Sequence, residues 1–321
     1  MQEILPSVAV IVPTYNRSLM LRRALESILT QNYPNIVKIV VTDDASTDDT
    51  KEIVKEYMNK DNRIVFIENT RYKKGPAGNK NNGLDYVEYI IKPDLFCFLD
   101  DDQVLLPNAI SRLADLYRRY NGKYRIVFGN AVNERGEKIT KVAKGLYEIT
   151  YEDIICGRAR DDSFGLIETS LLKGRRYCDD AWGAEWTLIA QIYKDNVTAL
   201  YVDEDLLKIY EEHSDRVTFK MTEKADRQFL NYKYFLDIVE EDLKKICPRV
   251  LAKHSLSAAL FAKLSGKKAE VNFYLKKALK ASSHPKIITI ALLILILPPR
   301  LLSALRGGKL YMGFFRKLLW R

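Results

Sequence analysis

A chain of 321 residues, 47% of them hydrophobic, exceeds one typical domain and is too apolar for a disordered segment, so one large core or two smaller ones are expected. Its formal charge of +9 hides a division: from Lys244 to Arg321 there are 17 Lys and Arg against one acid, Glu270, a net of +16, while the first 243 residues carry −7. Four widely spaced cysteines, Cys97, Cys156, Cys178 and Cys247, with no CxxC pair, argue against a zinc cage or a disulfide framework and suit a reducing cytoplasm.

Met1 to Ser7 shows no basic segment leading into an apolar core, so no secretory signal is expected. Val8 to Val12 is a continuous apolar run closed by Pro13 and predicts a buried strand. Leu21, Ala24, Leu25 and Ile28 recur at helical spacing behind a cap at Asn16 or Ser18, and Asn32-Tyr33-Pro34 stops that helix. Lys38 to Thr42 predicts a second strand, after which Ser46 or Thr47 is placed to cap a helix with Ile53, Val54 and Tyr57 on its inner face. Arg63 to Ile67 predicts a third strand, Leu84 to Ile91 a helix, and Leu95 to Leu99 a fourth strand. Pro107 suits the first turn of the next helix, whose buried side is Ile110, Leu113, Ala114 and Tyr117. Strands alternating with helices in this way build a mostly parallel α/β sheet flanked by helices.

In open sheets of this type ligands bind beyond the carboxyl ends of the strands. Pro13-Thr14-Tyr15-Asn16-Arg17 follows the first strand, Asp43 and Asp44 the second, and Asp100, Asp101 and Asp102 the fourth. Three adjacent carboxylates repel one another unless a cation neutralises them, and hard oxygen ligands favour Mg2+ or Mn2+. Between the third and fourth strands, Lys73 to Gly83 mixes glycine, amides and ammonium groups, the composition of a loop that approaches phosphate, although it is neither a P-loop nor a GxGxxG turn. A nucleoside diphosphate joined to a sugar satisfies all of these parts, with Asp44 and Asp102 gripping opposite ends.

Taken in this order and at these strand ends, Pro13 to Arg17, Asp43-Asp44-Ala45-Ser46-Thr47-Asp48 and Leu99-Asp100-Asp101-Asp102 with Pro107 five positions on resemble the family 2 glycosyltransferases of GT-A fold, over about two thirds of the chain. The resemblance implies a GT-A-type, Rossmann-like fold with a nucleotide-sugar-binding half at 1–102 and an acceptor-binding half at 103–224; residues 225–321 lie beyond it and read as a basic, apolar helical tail. It also implies roles. Asp44 contacts the nucleotide base, with Asp43 and the Pro13 to Tyr15 turn lining the same pocket. Asp100 and Asp102 form the DxD pair, Asp102 on the divalent ion and Asp100 on the ribose or the ion's waters, and Asp101 takes the variable middle place. Lys80, in Lys80-Asn81-Asn82-Gly83, stands where the family carries arginine and contacts phosphate or ribose without the bidentate fork. Gly183-Ala184-Glu185-Trp186-Thr187-Leu188 resembles the Gly-Glu-Asp-Trp-x-Leu motif, which makes Glu185 the general base of a single inverting displacement, with Asp179 and Asp180 as rivals. His213 resembles a histidine that joins the metal or pyrophosphate site in some relatives, and Arg216 neutralises phosphate from the same stretch.

From Ala225 the pattern is helical, and Ala258 to Leu264 followed by Phe273 to Leu279 resembles one helix pair of a tetratricopeptide array. Ile287 to Leu297 is an unbroken apolar run of 11 residues, too short to cross a bilayer, which takes about 20. Residues 287–321 either lie as a peripheral element on the inner membrane face or pack on protein, an oligomeric partner included. Nucleic acid is not expected, since the tail is as apolar as it is basic. The expected function is transfer of a sugar from a nucleoside diphosphate donor to a glycan or lipid-linked acceptor hydroxyl in the cytoplasm, with Mg2+ or Mn2+. A sugar-phosphate nucleotidyltransferase and an inactive nucleotide-sugar-binding protein are the alternatives.

Overall fold

Apolar runs without polar interruption form strands buried on both faces, and the first of them, β1 (Val8–Thr14), is buried along its whole length. The computed structural model describes residues 5–160, 162–181, 185–210 and 225–302. Two compact units result: residues 1–179 with 191–213, and residues 180–190 with 214–321.

The first unit is built in chain order from β1, α1 (Ser18–Leu29), β2 (Ile36–Asp43), α2 (Thr50–Lys60), β3 (Ile64–Glu68), α3 (Pro76–Asp85), β4 (Leu95–Phe98), β5 (Gln103–Leu105), α4 (Ala109–Arg119), β6 (Ile126–Val132), β7 (Lys141–Val142), β8 (Glu148–Ile149), α5 (Tyr151–Ile155), β9 (Ala159–Arg160) and β10 (Ser163–Glu168); after α6 (Glu185–Tyr193) it closes with β11 (Ala199–Ile209). Strands order as β3-β2-β1-β4-β10-β6-β11-β5, with β8 beside β11. From β3 to β4 every pairing is parallel, as expected; β10 then enters antiparallel to both β4 and β6. Four strands therefore end at one edge, and the turns after β1, β2 and β4 share it. Leu21, Ala24, Leu25 and Ile28 of α1 and Ile53, Val54 and Tyr57 of α2 are buried as their helical spacing predicts.

Three local expectations change. Ser46 does not cap α2, which begins at Thr50; it bonds Asp43 instead. Residues 76–83 are the first turns of α3, not a loop: Pro76 opens the helix, and Gly83 packs so closely on β1 that a Cβ there would come 2.5 Å from Ile11 Cγ2. Cys97, buried in β4, carries a free thiol, whereas Cys156 and Cys247 are disulfide-bonded, which their wide spacing did not signal: spacing along the chain does not report spacing in the fold.

The second unit carries α7 (Ala225–Ile246), α8 (Pro248–Leu264), α9 (Lys268–Ala281) and α10 (Pro285–Ile296). α8 is its centre: nearly all of Leu251 to Ala262 is buried, and α7, α9 and α10 all pack on it. His254 of α8 sits 4.7 Å from the Phe235 ring, and burial, with Lys253 adding to it, pushes its imidazole down to about 3.

Candidate active site

Parallel pairing in the order β2-β1-β4 puts the Asp44 turn and the Asp100–Asp102 turn on either side of the β1 end, about 10 Å apart by interstrand spacing. The sequence-derived residues Pro13, Thr14, Tyr15, Arg17, Asp43, Asp44, Lys80, Asp100, Asp101 and Asp102 come together at this edge. Two expected residues do not enter the geometry: Glu185 heads α6 but its side chain lies outside the described residues, as does His213 entirely.

At the β2 end, Asp44 is buried, and both of its oxygens are engaged, Oδ1 by Asn69 Nδ2 at 2.9 Å and Oδ2 by the Gly75 N–H at 2.7 Å. Burial raises its pKa above the ordinary carboxylate value, while the Asn69 and Gly75 hydrogen bonds pull it back. Gly75 has φ 138, a conformation open to glycine alone at little cost, and this backbone presents its N–H to the carboxylate. Asp43 accepts from the Ser46 hydroxyl at 2.5 Å and the Ser46 N–H at 2.9 Å, so it shapes the turn. Ala45 between them holds φ 62, a strained region for a residue with a Cβ.

At the β1 end, Tyr15 is exposed and carries the Lys74 ammonium 3.9 Å above its ring centroid. The Asn79 carboxamide donates to the carbonyls of Thr14 at 3.1 Å and Thr42 at 2.9 Å, joining the ends of β1 and β2.

The three aspartates after β4 diverge. Asp101 is only 4% exposed and accepts from Thr14 Oγ1 and Arg17 Nη1, each at 2.8 Å. Burial raises its pKa to about 7 against the pull of Arg17 and Thr14. Arg17 also lies 3.4 Å from Asp102 Oδ2; burial disfavours its charge, but Asp101 and Asp102 hold its pKa above the usual value. Lys80, buried in α3, donates to Asp100 Oδ2 at 3.3 Å and lies 3.2 Å from Oδ1, yet Oδ1 is buried and accepts no hydrogen bond. The Asp102 carbonyl accepts from the Tyr210 N–H at 3.0 Å, anchoring the end of β11 to the acidic turn. Among the described residues no three His, Cys, Asp or Glu side chains gather into a cage that holds a metal by itself. Of the rival bases, Asp179 accepts from the Lys73 N–H at 3.0 Å, and the Asp180 carbonyl accepts from Arg227 Nε at 3.1 Å.

Asn69 escaped the sequence reading, and Gly75 and Asn79 entered it only as part of the 73–83 segment, without these roles. Asn69 stands directly after β3, the position Asp44 holds relative to β2, and that placement was the available signal.

Residues 9–162 match the profile described as Glycosyl transferase family 2. A GalNAc(5)-diNAcBac-PP-undecaprenol beta-1,3-glucosyltransferase of Campylobacter jejuni is 34% identical over 302 residues, covering 91% of this chain and 93% of that protein. The chain belongs to glycosyl transferase family 2. Solved structures of low identity agree on the fold. S. aureus TarS 1-349 in complex with UDP-GlcNAc superposes with a TM-score of 0.56 at 15% identity, covering 85% of this chain and 91% of that one. The mannosyltransferase PcManGT from Pyrobaculum calidifontis, in complex with GDP-Man and Mn2+, gives 0.56 at 16% identity, covering 98% of this chain and 85% of that one. The family 2 protein is thus a GT-A-fold glycosyltransferase, and the β1, β2 and β4 ends form the edge at which a nucleotide sugar is expected.

Proposed function

We propose that this family 2 enzyme transfers a hexose, with inversion, from a nucleoside diphosphate sugar to a hydroxyl of a lipid-linked glycan, assisted by Mg2+ or Mn2+. The observation that carries the reading is the set of acids held at adjacent strand ends with cations already beside them. Asp44, fixed by Asn69 and Gly75, keeps lone pairs for a base N–H, and Tyr15 offers a ring face beside it. Arg17 and Lys80 supply positive charge at the diphosphate end. Asp101 acts as a positioning residue: its carboxylate holds Thr14 and Arg17 rather than facing solvent.

A divalent cation fits the residues present. Asp100 Oδ1 is buried and has the Lys80 ammonium 3.2 Å away but no hydrogen bond of its own, and magnesium-type sites commonly combine one or two carboxylates with substrate phosphates, so the lack of a complete protein cage is compatible with one. Asp102 and Asp100 would hold the ion; when bound, it offsets the charge of the diphosphate and improves the leaving group. The likeness of the 211–218 stretch to one in some relatives, where a histidine joins the metal or pyrophosphate site, supports adding His213 to the ion's partners. Glu185 takes the proton of the attacking hydroxyl. Residues 1–102 then serve the donor and 103–224 the acceptor. The lipid-linked acceptor is supported by the Campylobacter relative, named for an undecaprenol-linked substrate, and by the basic apolar residues 287–321, for which peripheral contact with the inner membrane face is proposed. No helix among the described residues is long and apolar enough to cross a membrane.

Thermal shift against UDP, GDP and dTDP, each with and without Mn2+, tests the donor assignment. A nucleotide at a hundredfold excess over its Kd stabilises the fold by about 2.7 kcal/mol, a shift of several degrees, and the shift should grow with Mn2+. If no diphosphate moves the melting point, the donor reading falls; a shift indifferent to Mn2+ removes the ion from it.

A further inference from the structure

An ordinary surface helix buries one apolar stripe and turns polar residues outward. Helix α10 does not. Ile287, Ile290, Ala291 and Ile294 are buried on the side packed against α8 and α9. On the other side Ile288, Leu292 and Leu295, spaced four and three residues apart, are 40%, 50% and 56% exposed. Ile296, the last residue of α10, is 73% exposed, and Leu301 beyond the helix is 52% exposed. Contiguous exposed apolar surface of this kind marks a site of association.

The charge around it says what associates. Lys286 and Arg300 flank the stripe and are exposed, and Arg249 and Lys253 lie close enough to His284, at the start of α10, to disfavour its charged form after burial has done so. Lys263 donates to the carbonyls of Ile294 at 2.5 Å and Leu295 at 2.9 Å, closing the other end. Glu270 is the one acid between Lys244 and Arg321, so a second copy would bring like charge against like charge. An anionic bilayer offers both an apolar layer and phosphates to meet the cations. At 12 residues α10 is about 18 Å long, enough to lie in the headgroup region and too short to span the roughly 30 Å hydrocarbon core.

We propose that α10 lies flat in the interface of an anionic membrane, inserting Ile288, Leu292, Leu295 and Ile296, with Lys286 and Arg300 on lipid phosphates. The inference rests on the membrane contact proposed above and names the element that makes it. Co-sedimentation of the full chain with vesicles of phosphatidylcholine, with and without about 30 mol % phosphatidylglycerol, tests it. The chain should pellet with the anionic vesicles, and salt should weaken the binding. Leu292→Glu with Leu295→Glu should lower the bound fraction at least about tenfold, and Lys286→Glu with Arg300→Glu should erase the preference for phosphatidylglycerol. All four positions are solvent-exposed, and unchanged far-ultraviolet circular dichroism verifies folding. Absence of binding to anionic vesicles overturns the proposal. So does equal binding by the double glutamate variant, which assigns the contact elsewhere in the chain, or a wild-type dimer by light scattering that this variant makes monomeric. The nucleotide-induced shift is measured on the same samples: its survival alongside failed vesicle binding sinks the surface alone, and its loss with vesicle binding intact sinks the donor reading alone.

Discussion

The strand-end site and the α7–α10 region handle charge in opposite ways. At the strand ends buried acids are answered within the chain: Asp43 by Ser46, Asp44 by Asn69 and Gly75, Asp101 by Thr14 and Arg17. From Lys244 onward the cations greatly outnumber the acids, and Lys286 and Arg300 at the two ends of α10 are exposed. Charge satisfied internally fixes geometry, whereas charge left over draws an external partner. Backbone strain divides along the same line. All seven non-glycine residues with positive φ among the described residues, Asn16 and Ala45 included, belong to the sheet unit.

The largest test falls on the chemistry at the site. Glu185→Gln should reduce sugar transfer about 10²- to 10⁴-fold, measured as nucleoside diphosphate release with a polyprenyl-diphosphate-linked glycan as acceptor, while the nucleotide-induced thermal shift persists. Unchanged turnover would return the base to Asp179 or Asp180.

A smaller effect sharpens the helical side. His254 is held neutral by burial, with a folded pKa of about 3 against 6.5 when unfolded. Between those values the unfolded chain binds the extra proton, so this contribution is whole above pH 6.5 and is lost as pH falls toward 3. At pH 5 the loss is about 2 kcal/mol, and melting curves from pH 7.5 to 5 should show it as a fall of several degrees in the helical unit. His254→Leu should flatten that slope, and an equal slope in the variant would assign the dependence to other groups.

The smallest effect concerns the strained turn. Ala45→Gly removes a left-handed penalty of about 1–2 kcal/mol and restores about 0.4–1 kcal/mol of unfolded-state entropy, so a net stabilisation of no more than about 1.6 kcal/mol is expected in urea melts. A loss of stability would show that Ala45 makes contacts outweighing its strain.

The sequence disclosed the sheet unit where burial was continuous. β1, β2 and β4 were legible because parallel strands covered on both faces leave largely apolar runs, the edge strand β3 because its apolar residues are β-branched or aromatic, and the carboxylates stood out by following β2 and β4. Residues 76–83 were misread because Gly78, Asn79, Asn81, Asn82 and Gly83 are weak helix formers. Their helix is secured by tertiary fit instead, with Gly83 against Ile11 and Asn79 bonded to both strand ends. The antiparallel entry of β10 had no local signal, since strand order depends on contacts far apart in sequence. Nor did three adjacent aspartates reveal that the middle one turns inward to Thr14 and Arg17.

Because Asn79 ties the last peptides of β1 and β2 to each other, the two turns that follow them cannot drift apart independently. On the proposed donor reading, a nucleotide would meet turns that are already stitched together, so little of its binding energy would go into freezing them, and selectivity would be decided by fit instead of by rearrangement.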